Sequence, residues 1–402
     1  MTTERVEIAI VGGGPAGAAL AARLAREGRD VAVLERAPEW RWRAGGVFSS
    51  PAAVAALRRT GLDETTLRAV ARPIPAMRVE TPQGTVFRLT YGTDEGGEPA
   101  VGFDRSLLDP ALLALARDAA AHIGLGATVV DVSLDNGELA IRGSDGALAR
   151  MRANVIVGAD GLRSVVARAA GVARPARLAQ RIGLTYHVED PGPTTSRDAR
   201  MHVFRDGYVG IAPVPGGRVN IGIALGTSWR AAVARDGAEA VARSIVEAIP
   251  PTLDDPAVWR FGRRCDPVAG AWPLGHRVTG RAGKGWLLIG DAAGFLDPFT
   301  GEGLHRALVS AELAAGAILA NGTGHRQAFA AYDRAMQRRF LAKDAVSWLV
   351  QAFLARPAIF EYAARRVASR PRVRATMGLV MGDLIPAGRA LDPRYLAALL
   401  AP

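Results

Sequence analysis

The sequence predicts an α/β protein in which a Rossmann-like dinucleotide-binding domain is interrupted by a mostly antiparallel β-sheet domain and followed by C-terminal helices. Three observations predict this class. A glycine-rich turn at 12–17 lies between a short apolar strand, 6–11, and a helix, 16–27. Short alternating segments separated by Asp, Pro and Gly fill 180–225. The tail from residue 332 onward is mostly helical in pattern and rich in arginine.

The composition is that of a folded globular protein with a basic excess. The 402 residues exceed what one compact core usually holds, so we expect two domains or one domain with a large insertion. The net charge of +11 comes almost entirely from scattered arginines, because Lys284 and Lys343 are the only lysines. No nucleic-acid-binding motif accompanies this charge. We therefore expect no nucleic-acid partner, while peripheral membrane contact stays open.

The cysteine content and the apolar stretches indicate in which cellular compartment the protein is expected. The single Cys265 excludes an internal disulfide, and no group of residues has metal-ligand spacing, so no metal is expected. Glu4 and Glu7 precede the first apolar stretch, which is unlike a signal peptide. The most apolar stretch, 307–320, is interrupted by Glu312, so no spanning helix is expected. We therefore expect a cytoplasmic protein, and its oligomeric state stays open.

The pattern divides the chain into three parts. Residues 1–72, 100–178 and 275–325 are predicted to form a discontinuous nucleotide-binding domain. Residues 73–99 and 179–274 are predicted to form the β-rich substrate domain, because both contain paired alternating segments around turns. Residues 326–402 form the C-terminal helical region.

The first motif predicts a dinucleotide site. Gly12, Gly14 and Gly17 fit G-x-G-x-x-G, which combines a tight turn, close approach of a diphosphate and close packing of the helix on the strand. The helix start offers free N–H groups to the phosphates. Glu35 follows Gly17 by 18 residues, at the end of a second strand, where a carboxylate accepts hydrogen bonds from ribose. An acid at this position disfavours a 2′-phosphate.

Two further turns place an aspartate directly after a short apolar strand. Asp160 lies in the segment Gly-Ala-Asp-Gly-Leu-Arg-Ser, and Asp291 lies in Gly-Asp-Ala-Ala-Gly. Side chains at the carboxyl ends of strands in one nucleotide-binding sheet face the same crevice. Both turns therefore predict a single extended ligand shared with the glycine motif.

The three motifs in this order resemble those of the superfamily of FAD-dependent geranylgeranyl reductases and aromatic hydroxylases, which are group A monooxygenases. Segment 290–303, GDAAGFLDPFTGEG, is closely similar to the reductase branch, and 43–51, RAGGVFSSP, resembles its segment near the isoalloxazine ring. The resemblance covers essentially the whole chain, including 382–383 and 391–393. It implies a GR2-type FAD-binding domain, FAD as cofactor and NAD(P)H as external reductant. No second glycine motif exists, so no separate NAD(P)H domain is expected.

The resemblance implies a cofactor site that runs from the glycine turn to the start of a helix near residue 303. The glycines face the diphosphate, Asp291 binds the ribityl chain, and the 301–304 backbone holds the pyrimidine edge of the flavin. Free N–H groups at a helix start stabilise negative charge on this edge. The predicted cofactor-binding residues are Gly12, Gly14, Pro15, Ala16, Gly17, Glu35, Arg36, Gly46, Arg105, Val129, Asp160, Gly290, Asp291, Pro298, Gly301, Gly303 and Leu304.

The predicted substrate is an apolar or aromatic small molecule. Trp272 and Phe299 flank the flavin strand and loop and would wall an apolar pocket, and Tyr208 would orient the substrate. His305 lies one turn into the helix beside the flavin edge and is considered for a functional role. His187 lies in a predicted strand, where a satisfied sheet residue is the expectation. No residue is assigned as catalytic.

Two reactions and one non-catalytic function fit these motifs. The main prediction is a monooxygenase-like enzyme, because segment 211–215 is more similar to the hydroxylases. The alternative, which loop 297–303 favours, is a geranylgeranyl-reductase-type C=C reductase of an isoprenoid or other lipid. A non-catalytic flavin-binding electron carrier is the alternative of another class. A flavin-dependent halogenase is rejected, because it needs a lysine in its N-terminal half and none precedes Lys284.

Overall fold

Eight strands form the sheet that carries the glycine-rich turn. The computed structural model describes residues 4–175, 180–190, 198–250, 260, 262–323 and 329–401, with strands and helices numbered in chain order. The strands of this first sheet are β1 (Glu4–Val11), β2 (Val31–Glu35), β8 (His122–Leu125), β9 (Thr128–Ser133), β10 (Glu138–Arg142), β11 (Leu148–Gly158), β19 (Ala282–Gly283) and β20 (Trp286–Leu288). The main order is β19-β20-β11-β1-β2-β8, and β10 joins β9 to β11. The pairs β20-β11-β1-β2-β8 are parallel.

Helices cover this sheet on its faces, as a parallel sheet requires. They are α1 (Pro15–Arg26), α2 (Pro51–Thr60), α3 (Glu64–Val70), α4 (Arg105–Asp118), α5 (Val165–Ala169) and α7 (Gly303–Asn321). Helix α1 lies against α4 and α7. Its face is made of fully buried small and branched side chains such as Ala18, Ala21 and Leu24, which let the three helices pack closely.

Helix α7 is the one described helix that is long and apolar enough to cross a membrane by length and composition alone. More than half of its apolar window is buried inside the protein. Leu308, Ala311 and Ile318 are almost fully buried in the core around the first sheet. In this structure α7 is therefore a core helix.

A second sheet has seven strands and unites the two β-rich parts of the sequence. Its strands are β5 (Met77–Glu80), β6 (Val86–Leu89), β13 (Ile182–Glu189), β14 (Ala199–Phe204), β15 (Gly207–Val214), β16 (Arg218–Leu225) and β17 (Ala269–Ala271). The order is β17-β13-β16-β15-β14-β5-β6, antiparallel except at β14-β5. Helix α6 (Arg230–Glu247) covers the outer face of β13, β15 and β16.

Two small sheets lie between the large ones. One contains β3 (Phe48–Ser49), β4 (Ala71–Ile74) and β7 (Ala100–Phe103), and the other pairs β12 (Ala173–Pro175) with β18 (His276–Val278). At Gly102 a Cβ atom would lie 2.0 Å from the Pro213 carbonyl oxygen of β15. This close contact fixes the second sheet against the cofactor domain.

The C-terminal helices close the inner face of the second sheet. They are α8 (Ala330–Leu354), α9 (Pro357–Ser369), α10 (Pro371–Met381) and α11 (Pro393–Leu400). Phe360, Val367 and Val380 form a separate buried core with Met77 and Met201 of the sheet. The space between sheet and helices is where the apolar cavity described below lies.

The predicted fold class is confirmed. Helix α4 begins at Arg105, because the Asp104 carboxylate accepts a hydrogen bond from the Ser106 N–H and caps the helix. Helices α2 and α3 lie in a stretch for which the sequence pattern predicted no element. Helix α6 was also missed, because Gly237, at φ +83°, interrupts its helical pattern.

Candidate active site

The glycine turn contacts both aspartate turns. A Cβ atom at Gly12, whose φ is +105°, would lie 2.5 Å from the Ala159 carbonyl oxygen. A Cβ atom at Gly290, at φ +57°, would lie 2.9 Å from the Ala16 Cβ. The structure therefore brings the three motifs to one place, as expected for a single extended ligand.

The start of α1 is open to a ligand. A Cβ atom at Gly17 would lie 2.0 Å from the Gly12 carbonyl oxygen, so only glycine lets the helix leave the turn at this angle. Gly14, by contrast, has no heavy atom within 4 Å of such a Cβ, and no side chain caps the helix that begins at Pro15. The first N–H groups of α1 thus face open space, which fits a diphosphate.

Glu35 is held rigidly at the end of β2. Its carboxylate accepts from the Gly13 N–H at 2.8 Å and the Ala37 N–H at 3.0 Å, and Arg43 lies 3.1 Å from it. Arg36 beside it is exposed, and Val129 of β9 is half-buried against the core of the first sheet. The geometry fits a carboxylate that receives ribose hydroxyls at the rim of the site.

The two aspartates retain unused hydrogen-bonding capacity. The Asp160 Oδ2 atom accepts from the Val165 N–H at 2.6 Å, while its buried Oδ1 atom has no partner among the described residues. The Asp291 carboxylate has no hydrogen-bond partner in the described part of the chain, and burial raises its pKa to about 6 against the charges of Arg105 and Arg306. Both groups fit acceptors of ligand hydroxyls, because a buried acceptor such as Asp160 Oδ1 is costly to leave unsatisfied and the Asp291 carboxylate, which is partly exposed, is free of other hydrogen bonds among the described residues.

Arg105 joins the cofactor site to the loop after β2. Its guanidinium binds the Asp109 carboxylate through two contacts of 2.6 and 2.9 Å, and it donates to the Gly46 carbonyl oxygen at 3.1 Å. Asp109 thereby fixes the direction of the charge. Of the predicted residues, Arg105 therefore contacts Gly46 directly. Against the effect of burial, the charges of Asp109 and Asp291 raise the pKa of Arg105.

The loop before α7 is held by a buried carboxylate. Asp297 accepts from the Tyr208 hydroxyl at 2.6 Å and the Phe299 N–H at 2.9 Å, and the Arg181 guanidinium lies 3.1 Å from it. The Tyr208 and Phe299 rings meet edge to face at 5.1 Å. Tyr208 is buried, and burial together with the Asp297 charge raises the pKa of its hydroxyl. The contact found for Tyr208 is therefore with the loop, and a contact with substrate stays a prediction.

The loop turns sharply at Gly301 and leads directly into α7. Gly301 has φ +66°, and a Cβ atom there would lie 2.6 Å from the Phe48 ring. Pro298 begins the short turn that precedes it, and Leu304 is buried in the core. No side chain caps α7, which begins at Gly303, so its first N–H groups are free to face a ligand.

A buried charge network lies directly behind this helix start. The Lys343 ammonium lies 2.8 Å from Asp383 Oδ1 and 3.7 Å from Glu302 Oε1, and it donates to the Val380 carbonyl oxygen at 2.7 Å. The His305 Nδ1 atom lies 3.1 Å from Asp383 Oδ2. The sequence singled out His305 but missed Lys343, which lies in no motif, and it gave no role to the side chain of Glu302, although Glu302 lies within the 290–303 motif. The one signal was a lysine within an apolar helical stretch of an otherwise arginine-rich chain.

The network shifts the pKa values of its two carboxyl groups, Glu302 and Asp383, in opposite directions. Burial raises the pKa of Glu302, with Lys343 opposing it. Burial acts the same way on Asp383, but the hydrogen bond from His305 and the Lys343 charge hold the pKa of Asp383 well below its ordinary value. Ser50 also donates to Asp383 at 3.1 Å. Asp383 is therefore a carboxylate, at φ +57° in the left-handed region.

An apolar cavity lies between the second sheet and the C-terminal helices. Part of this cavity is open to solvent. Phe48, Phe299 and Thr300 line the part next to the loop before α7, and only Tyr91 and Thr300 of its 18 lining residues carry a polar side chain. Burial raises the pKa of Tyr91. The sequence predicted Phe299 at this pocket and missed Tyr91.

The remaining predicted residues lie apart from this cavity. Trp272 is 38% exposed, under the Arg230 guanidinium at 4.4 Å, and is not among the residues that line the cavity. His187 is buried, with Nδ1 2.7 Å from Asp266 Oδ2 and the Trp42 ring at 4.5 Å. No group of three or more His, Cys, Asp or Glu in the described ranges could hold a metal ion.

Fold and site together define an FAD-dependent oxidoreductase: the glycine turn, Glu35 and the unsatisfied Asp160 and Asp291 acceptors fit the cofactor, and an apolar cavity adjoins the loop before α7. A family model described as "FAD binding domain" matches residues 5–348, and the chain belongs to this family.

Relatives and solved structures agree with this assignment. A menaquinone reductase of Mycolicibacterium smegmatis is 30% identical over 95% of this chain and 92% of its own length. A digeranylgeranylglycerophospholipid reductase of Methanoculleus marisnigri is 26% identical over 81% and 80%. A geranylgeranyl bacteriochlorophyll reductase-like structure from Thermoplasma acidophilum matches with a TM-score of 0.77 at 21% identity, covering 99% of each chain. A flavin-dependent brominase has the same TM-score at 21% identity over 94% and 93%, which shows a shared fold.

Proposed function

We propose that this FAD-dependent oxidoreductase reduces a carbon–carbon double bond of an isoprenoid lipid. The observation that carries the proposal is the apolar cavity, in which 16 of 18 lining residues are apolar and which adjoins Phe299 and Thr300 of the loop before α7. A cavity of this composition binds a hydrocarbon by removing its surface from water. The relatives, a menaquinone reductase and a digeranylgeranylglycerophospholipid reductase, support the same substrate class by their names.

The residues around the cavity have separate tasks in this reaction. Bound FAD supplies the hydride. The free N–H groups at the start of α7 stabilise negative charge on the adjoining edge of the cofactor. Phe48, whose ring abuts Gly301, and Phe299 keep water away from the reacting atoms. Asp291 and Arg105 hold the cofactor chain.

Reduction of a double bond also consumes a proton, and Tyr91 is the donor in this proposal. Tyr91 lines the cavity, and its ring centroid lies 5.9 Å from that of Phe48, whose ring abuts Gly301. A tyrosine hydroxyl is protonated at neutral pH and can donate this proton. The backbone of Tyr91 has φ +51°, a costly conformation for tyrosine of the kind that clusters at functional sites.

We further propose NAD(P)H as the reductant and the cytoplasm as the location. The described residues contain one dinucleotide-binding βαβ unit, so NAD(P)H would act as a diffusing co-substrate at the flavin. A single cysteine without a disulfide is consistent with a reducing compartment.

The test is turnover without oxygen. Holoprotein is reduced anaerobically with NADPH or dithionite and mixed with geranylgeraniol or a short-chain menaquinone, and products are reoxidised before mass spectrometry so that any quinol reverts to quinone. A gain of two hydrogen atoms on the prenyl chain supports the proposal. A product that forms only with oxygen and contains an added oxygen atom would instead establish the monooxygenase that segment 211–215 favours.

A variant pair tests the cavity. Ala364 of α9 lines it, and Ala364→Phe should fill part of its volume and abolish prenyl turnover while FAD occupancy stays unchanged. Ala358 on the same helix is exposed, so Ala358→Phe is the matched control and should keep full activity. Equal activity of both variants would place the substrate elsewhere.

A further inference from the structure

A second, open cleft lies along the edge strand β6 and the facing ends of α9 and α10. Four arginines line it, together with two acids, Asp94 and Asp198. The arginines are Arg78, Arg88, Arg200 and Arg374. The charged residues that line the cleft therefore carry an excess of positive charge.

Three of these arginines form one row across the sheet. Arg200 of β14 is in register with Arg78 of β5, and Arg78 is in register with Arg88 of β6. Residues directly opposite on neighbouring strands point to the same face, about 5 Å apart. The Asp198 carboxylate binds Arg88 at 2.6 and 3.0 Å.

The cleft and the apolar cavity are neighbours. Phe87 lines both of them. On α9, Val367 lines the cavity and the next residue, Ala368, lines the cleft. On α10, Met377 lines the cavity and Arg374, one turn earlier, lines the cleft and donates to the Ala368 carbonyl oxygen at 2.8 Å.

We propose that the arginine cleft binds an anionic group, phosphate or carboxylate, attached to the apolar molecule in the cavity. Guanidinium groups bind such oxyanions through paired, charge-assisted hydrogen bonds. The substrate is then an amphiphile whose hydrocarbon passes Phe87 toward Phe299. This inference rests on the proposed prenyl-binding cavity and adds the recognition of a charged end.

Binding of a matched pair of probes tests the inference. Farnesyl monophosphate and farnesol share the hydrocarbon and differ in the charge, and each is titrated into the holoprotein at low salt by calorimetry. The phosphate should bind roughly tenfold or more tightly than the alcohol, as one charge-assisted hydrogen bond allows. Arg374→Gln and Arg78→Gln should each reduce this preference severalfold and leave farnesol affinity unchanged.

Arg372→Gln is the control, because Arg372 is exposed on the same helix, does not line the cleft, and its loss changes the net charge equally. Equal affinity for both probes would overturn the inference while leaving the cavity proposal standing. Loss of preference in the Arg372 variant as well would reduce the effect to general charge and would also overturn it. Inorganic phosphate that binds as tightly as the ester would make this a free-anion site. Failure of farnesol to bind would refute the cavity itself.

Discussion

The Lys343 ammonium lies 2.8 Å from the Asp383 carboxylate, and each of these side chains is less than a tenth exposed. Helices α7, α8 and the end of α10 meet at this pair, directly behind the start of α7. The pair therefore connects the start of α7 to helices that enclose the apolar cavity.

Lys343→Met should destabilise the protein strongly. It removes the one ammonium among the described residues within 4 Å of both Asp383 and Glu302, and breaking a buried pair by removing one partner costs about 3–5 kcal/mol. Urea unfolding of the apoprotein at pH 7 measures this. Lys284→Met is the control, because Lys284 is the other lysine and is exposed. Similar unfolding free energies for both variants would show that the network contributes little.

Replacement of Asp291 should weaken retention of the cofactor. The carboxylate oxygens of Asp291 have no hydrogen-bond partner among the described residues, so Asp291→Ala should weaken FAD binding by about 1–3 kcal/mol if they accept ribityl hydroxyls. Equilibrium dialysis with free FAD measures the loss. Asp145→Ala, in an exposed turn, is the control. Unchanged affinity of the Asp291 variant would show that Asp291 only shapes its turn.

The raised pKa of Asp291 predicts that the stability of the apoprotein depends on pH. Its folded-state pKa, about 6, lies above the ordinary value of 3.8, so the folded state binds a proton more readily. The contribution of Asp291 therefore destabilises the apoprotein above pH 6 and is relieved as pH falls from 6 toward 4. Asp291→Asn should then raise apoprotein stability at pH 7 by about 1–3 kcal/mol and by little at pH 4. An equal effect at both pH values would contradict this.

Tyr91→Phe should slow turnover without loss of cofactor. The hydroxyl is one of two polar groups in the cavity lining, and a positioned acid accelerates proton transfer by roughly 10²–10⁴-fold. We expect kcat to fall by about 10² at unchanged FAD occupancy and KM, measured with the prenyl probes. Tyr186→Phe is the control, because Tyr186 packs on the outer side of the second sheet under α6. Full activity of the Tyr91 variant would require another donor.

Tyr208→Phe should act on stability more than on substrate binding. The lost hydroxyl leaves the buried Asp297 carboxylate short of one hydrogen bond, which costs about 1–3 kcal/mol. Thermal unfolding of holoprotein measures the loss. A raised KM at unchanged stability would instead support the predicted contact of Tyr208 with substrate.

Local patterns predicted most of the cofactor domain. The glycine turn, the two aspartate turns and the start of α7 are contiguous segments whose conformation depends on φ, hydrogen bonds and helix ends within a few residues. Helix α6 was missed because Gly237 breaks its periodicity, and Tyr91 was missed because a tyrosine before a glycine in a turn resembles ordinary packing. Trp272 was predicted to line a pocket from its place in the chain, yet it packs under Arg230.

The sequence alone predicted the fold class, FAD as the cofactor and the family, because each rests on motifs in which a few neighbouring residues set the local conformation. The position of the cavity and the residues that line it are known only from the tertiary structure. Phe48, Tyr91, Phe299 and Phe360 come from distant segments and become one apolar wall only when the second sheet packs on the C-terminal helices. Lys343 and Asp383 are 40 residues apart in the sequence. They pair in the folded core because a buried charge without an opposite partner is costly.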